Sequence, residues 1–421
     1  MTRVAKQGRD ARQQRRDASQ PQLAARYFLE FLAKTGRPRR QGEAEIAPPS
    51  MSNIRLVRAI AQASASRHKS ISQIDNKAKM KAKHISAILG ITLSTAIGKP
   101  SCSKPHDGGF PSDRFDVPFK SMVVFGDSFS DVGNINIASN KTQPGIWSYA
   151  GRYSDGRVWH EYLAQFLGLP SLDPSEAGGT VYSWGGATTN NDYISAFSTA
   201  LDAVVPAVDQ QITEYVDGTS EVDEDALHVV FSGYNDYWWY VFNNFTTTKG
   251  QDRNMTNVYT TVAREVLIQV RRLHNAGARH FLVGNVPNMT SWAEAQGQTQ
   301  EVLDAYRTLA LGHNDLLAEL LSEFFEQSTA DTTVYELDYF GCMDCLNERE
   351  DFLGFRDLFD ACHASQDQNC GDVFSYKFWD AYHPTTHAHW VLSRAAIQTI
   401  FDKEKEAIKT AESRRSFLRS T

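Results

Sequence analysis

The stretch FGDSFSD, residues 125–131, places Ser128 just behind a short apolar run and between Asp127 and Asp131. A serine hydroxyl is a weak nucleophile at neutral pH unless a neighbouring base takes its proton as it attacks. The chain therefore has to supply a histidine, and that histidine needs a carboxylate to orient it. Near the C-terminus FWDAYHPTTHAHW holds both, with Asp380 and His383 three residues apart and Pro384 next. In a loop or first helical turn, side chains at i and i+3 can point the same way, so Asp380 can accept the Nδ1 proton and leave Nε2 for the serine. Taken alone, D-x-x-H is more often a helix cap followed by a surface histidine. His387 and His389 extend the segment to H-x-x-x-H-x-H. Without H-E-x-x-H or a matching carboxylate, that spacing predicts local packing on a helix rather than a metal site. Neither a metal nor a cofactor is expected.

Acyl transfer also needs donors for the oxygen that becomes negative. YSWGGATTN contains Gly185 and Gly186, where the missing side chain lets a backbone N–H approach a ligand closely. FSGYNDYWW presents Asn235 as it leaves a strand-like run. The N–H groups of Ser128 and Gly186 with the Asn235 amide would form a three-donor hole, and losing one such donor costs on the order of 100-fold in rate. Aromatic residues crowd these stretches. Phe129, Trp184, Tyr234 and Trp238 are the candidate substrate contacts, while about half of the neighbouring rings are expected to fill the core.

Four ordered blocks carry a resemblance: Gly126-Asp127-Ser128 with Phe129 in place of the usual leucine, Gly185-Gly186-Ala187-Thr188-Thr189, Gly233-Tyr234-Asn235-Asp236, and Asp380-Ala381-Tyr382-His383-Pro384-Thr385. Together they resemble the GDSL, or SGNH, hydrolases over roughly residues 120–400, and most of all the secreted fungal-type esterases, carbohydrate acetylesterases of the family 16 type among them. GRYSDGRVWHEYLA, residues 151–164, also looks like the segment that follows the serine block in that group. Val181 stands where many relatives carry asparagine, and this departure, like Phe129, bears on pocket shape rather than on chemistry. The resemblance implies a flavodoxin-like, three-layer α/β/α fold with a mostly parallel sheet, and a nucleophile on a loop or first helical turn. The nucleophile elbow of the other α/β hydrolases, G-x-S-x-G, is absent, because Ser130 occupies its last position.

The elements that must position these residues alternate along the chain. Strands are predicted at 121–125, 227–232, 280–285 and 333–338, and helices at about 158–168, 207–216, 257–276, 299–326 and 386–412. That β-α order gives a parallel sheet covered on both faces, with active residues at the carboxyl ends of strands. Ser128 and Asn235 both follow strands. No repeat and no long linker divides the region.

Charge divides the chain of 421 residues into two materials. Residues 1–100 carry 20 Lys/Arg against 6 Asp/Glu, which leaves 23 against 44 for the rest. Residues 1–79 have no sustained hydrophobic period and are expected to be disordered or a mistaken extension of the gene, with translation starting at Met80. Residues 80–98 have the anatomy of a signal peptide: a basic start, a short apolar stretch and small residues after it. The apolar stretch, Ile85 to Ile97, would cover only about 20 Å of a roughly 30 Å hydrocarbon core, so no stable membrane anchor is expected. A linker over 99–119, a hydrolase domain over 120–402 and a tail over 403–421 complete the layout.

Secretion fits four sequons, at Asn140, Asn244, Asn254 and Asn288, and five cysteines that all lie beyond the signal. Cys362 and Cys370 are expected to close a short loop, and the C-x-x-C of Cys342 and Cys345 suits disulfide chemistry better than zinc. The acidic balance of the mature part disfavours nucleic acid and anionic lipid. A monomeric, secreted serine esterase acting on small neutral esters, above all acetylated saccharides, is the expected function. A lipase or phospholipase acting on lipid acyl esters is the alternative, and a silent carbohydrate-binding protein on the same fold is the third.

Overall fold

The computed structural model describes residues 117–348 apart from Thr199, then 353–363 and 370–420. The expected N-terminal extension, the signal peptide, most of the linker and Cys102 lie outside the described residues. Within them β1 (Ser121–Gly126) leads into a short α1 (Asn134–Ala138) and then α2 (Trp159–Leu167). α3 (Val208–Gly218) precedes β2 (Ala226–Phe231), α4 (Tyr234–Phe242) and α5 (Met255–Ala276). β3 (His280–Gly284), α6 (Gln300–Gln327) and β4 (Thr333–Leu337) follow.

The four strands form one parallel sheet in the order β1-β2-β3-β4. β1 pairs with β2 from Ser121↔Ala226 to Gly126↔Phe231. A fifth segment lies along the outer edge of β1. The N–H of Val124 donates to the Thr180 carbonyl at 3.0 Å, that of Tyr182 to Val124 at 2.7 Å and that of Trp184 to Gly126 at 3.2 Å. Counting this segment second in the chain, the order is 2-1-3-4-5, the flavodoxin-like arrangement. Sequence patterning missed the segment because its aromatic and glycine content reads as loop.

Alternation along the strands builds two cores. Met122 and Val124 of β1 point with Leu227, Val229 and Phe231 of β2 toward α2 and the last helix. Val123, Phe125 and Val230 point the other way, toward α3, α5 and α6. All six residues of β2 are buried, as expected for a central strand covered on both faces. Three layers result, and the loops at the carboxyl ends of β1 and β2 open on one edge.

After β4 the chain forms α7 (Tyr339–Glu348), then a small parallel ladder of β5 (Asp357–Ala361) with β6 (Tyr376–Phe378), and finally α8 (Thr386–Ser420). α8 runs past the expected end at about 412 and takes in the tail, because its last turns contain neither Gly nor Pro. Cys362 and Cys370 form a disulfide. The C-x-x-C does not close on itself: Cys342 is a free, buried thiol pushed up to about 12 by burial, while Cys345 is disulfide-bonded. On α7 Cys342 packs in the core with Met343 and Leu346.

Candidate active site

Ser128 sits in the turn that leaves β1. The N–H groups of Ser130 and Asp131 both donate to the Asp127 carbonyl at 2.9 Å, which curls the chain into a single tight turn. Asp127 Oδ1 accepts the Phe129 N–H at 3.0 Å and the Tyr234 hydroxyl. Burial pushes the Asp127 carboxyl up to about 8, against the pull of these hydrogen bonds. From the other side α2 holds the turn: Trp159 Nε1 donates to Ser130 Oγ at 3.1 Å, and His160 Nε2 lies 2.9 Å from the Ser130 carbonyl.

Three buried contacts knit the separate blocks into one unit. Asp131 accepts four backbone N–H groups, those of Gly133, Asn134 and Ile135 at the start of α1 and that of Gly185 at 2.9 Å. Asp236 accepts both the N–H and the hydroxyl of Thr189, at 2.9 and 2.7 Å. Asn235 Nδ2 donates to the Ala187 carbonyl at 3.0 Å. Asp127, Asp131 and Asp236 are therefore scaffold, and burial raises the last two to about 6 and about 7.

The arrangement leaves donors to spare. The N–H groups of Ser128 and Gly186 have no acceptor among the described residues. Asn235 has a second N–H beyond the one given to Ala187. Gly186 adopts φ +86°, a left-handed conformation that favours glycine.

His383 closes the site from the C-terminal side. Its Nδ1 lies 2.8 Å from both Asp380 oxygens. Asp380 Oδ1 also accepts the N–H groups of Tyr382 and His383 at 2.9 and 2.8 Å, and the Trp379 N–H donates to the His383 carbonyl. Burial alone would raise the Asp380 carboxyl, but the neighbouring imidazole and these hydrogen bonds outweigh it and hold the group below the ordinary value. Phe129, next to the serine, meets the His383 ring edge-on at 6.0 Å. So the turn and the histidine are neighbours, with Nε2 the nitrogen left free for proton transfer.

The expected substrate contacts divide. Phe129 and Tyr234 are 1% and 2% exposed and stack on each other at 4.6 Å beneath the turn, so the structure corrects them from substrate contacts to floor. Trp184 is 5% exposed and packs with Ile135, Ala187 and Val205, which makes it core as well. Trp238 alone is half-buried. It stacks on Phe242, which is 59% exposed, and meets Tyr382 edge-on at 5.7 Å.

His387 and His389 pack locally. His387 stacks on Phe374 and Phe355, while His389 is buried with neither ring nitrogen partnered. Of the sequons, Asn140, Asn244 and Asn254 are exposed. Asn288 is a correction: it is buried and its Nδ2 is committed to Asp344 at 2.7 Å, so the folded arrangement leaves no room for a glycan there.

Sequence reasoning passed over the clamp on the histidine. Within GRYSDGR, the Ser154 hydroxyl donates to the Pro384 carbonyl at 2.9 Å, Asp155 accepts the Thr386 N–H at 2.8 Å, and the Tyr153 ring lies 4.8 Å from His383. The signal was a dense polar-glycine loop without a helical or strand period. Two buried glutamines also escaped notice: Gln211 brackets Gly126 at the end of β1, and Gln269 donates to the Thr189 carbonyl.

Comparison with known proteins places this geometry. The profile of the family described as GDSL-like Lipase/Acylhydrolase matches residues 122–395, more than half of the chain. The thermolabile hemolysin of Vibrio parahaemolyticus is 27% identical over 297 residues, which cover 66% of this chain and 63% of that protein. A GDSL esterase/lipase of Arabidopsis thaliana is 25% identical over 330 residues, 67% of this chain and 91% of the relative. The phosphatidylcholine-sterol acyltransferase of Aeromonas hydrophila is 26% identical over 247 residues, 58% and 66%. The chain thus spans less than two thirds of the hemolysin and of the acyltransferase. A solved structure of a lipolytic G-D-S-L family protein from Veillonella parvula aligns with 66% of this chain and 97% of its own, at 13% identity and a TM-score of 0.34.

Proposed function

The chain belongs to the GDSL-like lipase/acylhydrolase family, and from that premise we propose that it hydrolyses carboxylic esters through an acyl-enzyme on Ser128. One observation carries the reading: His383 Nδ1 lies 2.8 Å from both oxygens of Asp380, with the ring beside the serine turn. His383 Nε2 takes the Ser128 proton as Oγ bonds to the ester carbonyl carbon, and Asp380 stabilises the imidazolium. The carbonyl oxygen, now negative, accepts the Ser128 and Gly186 N–H groups and the second N–H of Asn235. The bond to the alcohol breaks and His383 returns the proton to it. Water, deprotonated by the same nitrogen, then attacks the acyl carbon and frees Ser128.

The acidic balance favours small neutral esters, with an acetylated saccharide as the expected substrate. A lipid acyl ester is the second reading, and a particular observation favours it. Trp238 and Phe242 stack at 4.8 Å and 12° and Trp239 meets Phe242 edge-on, so the three rings form one continuous apolar patch with Phe242 exposed. What they present is an apolar edge beside Tyr382, suited to an alkyl chain. The names of the hemolysin, the acyltransferase and the esterase/lipase lean the same way. Export belongs to the same proposal, supported by the disulfide-bonded cysteines and the exposed sequons at Asn140, Asn244 and Asn254.

Turnover of p-nitrophenyl acetate and p-nitrophenyl decanoate by wild type and Ser128→Ala tests both parts. Ser128→Ala should lose about 10⁴-fold or more in kcat on either ester. Unchanged turnover would remove the serine, and a strong preference for acetate would return the saccharide reading to first place.

A further inference from the structure

Tyr153 has no part in the mechanism above, yet its ring lies between two of its components. One side meets the His383 imidazole at 4.8 Å, tilted by 38°. The hydroxyl end of the ring covers Gly185, next to Gly186: a methyl group built at Gly185 would fall 2.3 Å from Tyr153 Cε2 and 2.4 Å from its hydroxyl oxygen. Any side chain at 185 would expel the phenol, so the glycine is needed for this close approach. Gly186, whose N–H is unclaimed, is the next residue.

The phenol hydroxyl has no hydrogen-bond partner among the described residues, and the residue as a whole is only half-buried. Packing alone does not account for it, since phenylalanine would fill the same space without a polar atom to satisfy. Burial and the nearby Asp131 and Asp380 carboxylates hold the phenol well above its ordinary range, so it remains a donor throughout the working pH.

We propose that the Tyr153 hydroxyl is a further catalytic donor, which hydrogen-bonds the oxyanion of the tetrahedral intermediate alongside Ser128, Gly186 and Asn235. The proposal rests on Ser128 being the nucleophile. No proton leaves the phenol: it donates a hydrogen bond to the oxygen as charge develops and withdraws it when the carbonyl re-forms.

Tyr153→Phe keeps the ring against His383 and Gly185 and removes only the donor. Its kcat should fall about 100-fold, with KM within roughly twofold and an unchanged melting midpoint. An oxyanion forms whatever alcohol departs, so the loss should be the same for p-nitrophenyl, phenyl and p-methoxyphenyl acetates. Affinity for a trifluoromethyl ketone, which traps the serine as a tetrahedral adduct, should drop by the same factor. Wild-type kcat in Tyr153→Phe, a change confined to KM, or a loss that grows with the basicity of the leaving group would overturn the assignment. Ser128→Ala is run beside it: an active Ser128→Ala would sink the underlying site, whereas an inactive one with an undiminished Tyr153→Phe sinks Tyr153 alone.

Discussion

The turn that carries Ser128 and the segment that carries His383 meet at one site, but they are held in place differently. On the serine side the ties are buried side chains that accept or bracket backbone. Asp131 gathers four N–H groups, Asp236 holds Thr189, and Gln211 grips Gly126, all at 0% exposure. The described residues of the histidine side, 353–363 and 370–385, lie outside the main sheet. They lean on the β5-β6 ladder, the Cys362–Cys370 disulfide and the stack of His387 between Phe374 and Phe355. Donors for an oxyanion must be rigid to be useful, and they lie just beyond the ends of sheet segments, tied down by these buried side chains. The proton carrier is fixed by its partner carboxylate and by the Ser154–Pro384 and Asp155–Thr386 hydrogen bonds, ties that reach it from one polar loop rather than from the sheet.

Two substitutions set this contrast against measurement. Asp380→Asn should cost about 10⁴-fold in kcat, roughly 5.5 kcal/mol of barrier, because an amide no longer fixes the imidazole tautomer or steadies its charge. Its Oδ1 can still accept the Tyr382 and His383 N–H groups, so the urea midpoint should barely move. Asp131→Ala should do the reverse. It orphans four buried N–H groups at once, and at least about 3 kcal/mol of unfolding free energy should go with them. If Asp380→Asn unfolds the protein as readily as Asp131→Ala, the two sides are one cooperative body and the contrast fails.

Much of this division was legible in the residues. Short β-branched apolar runs marked the four strands β1 to β4, and the four ordered blocks marked Ser128, Gly186, Asn235, Asp380 and His383. What stayed hidden depends on three-dimensional pairing. The segment 180–184 joins the sheet through backbone bonds, which leave no side-chain pattern. Burial of Phe129, Tyr234 and Trp184 follows from what packs over them, and an aromatic looks the same in sequence whether it is floor or wall. Asn288 keeps its triplet while its amide is spent on Asp344. Tyr153 stands 230 positions before His383, and only the fold brings the two rings together.

The junction between the two sides supplies the smallest effect. Phe129 of the serine turn has the His383 ring at 6.0 Å and the His389 ring at 6.2 Å, so His389 lies where the last helix meets the nucleophile turn. Neither of its nitrogens has a partner, and burial pushes its pKa down to about 3, with the charges of His383 and His160 adding to the effect. In the unfolded chain the same imidazole titrates near 6.5. Between those values the unfolded state holds one more proton, so the stability due to neutral His389 is complete above about pH 6.5 and declines as pH falls toward 3. One proton is worth roughly 1.4 kcal/mol per pH unit at the steepest. Urea unfolding of wild type and His389→Phe from pH 7 to pH 4.5 should give curves of different slope, the wild type losing about 1 kcal/mol more per unit as the pH falls. Parallel curves would mean that the imidazole is already charged or hydrated in the folded protein, and that the junction is wet rather than sealed.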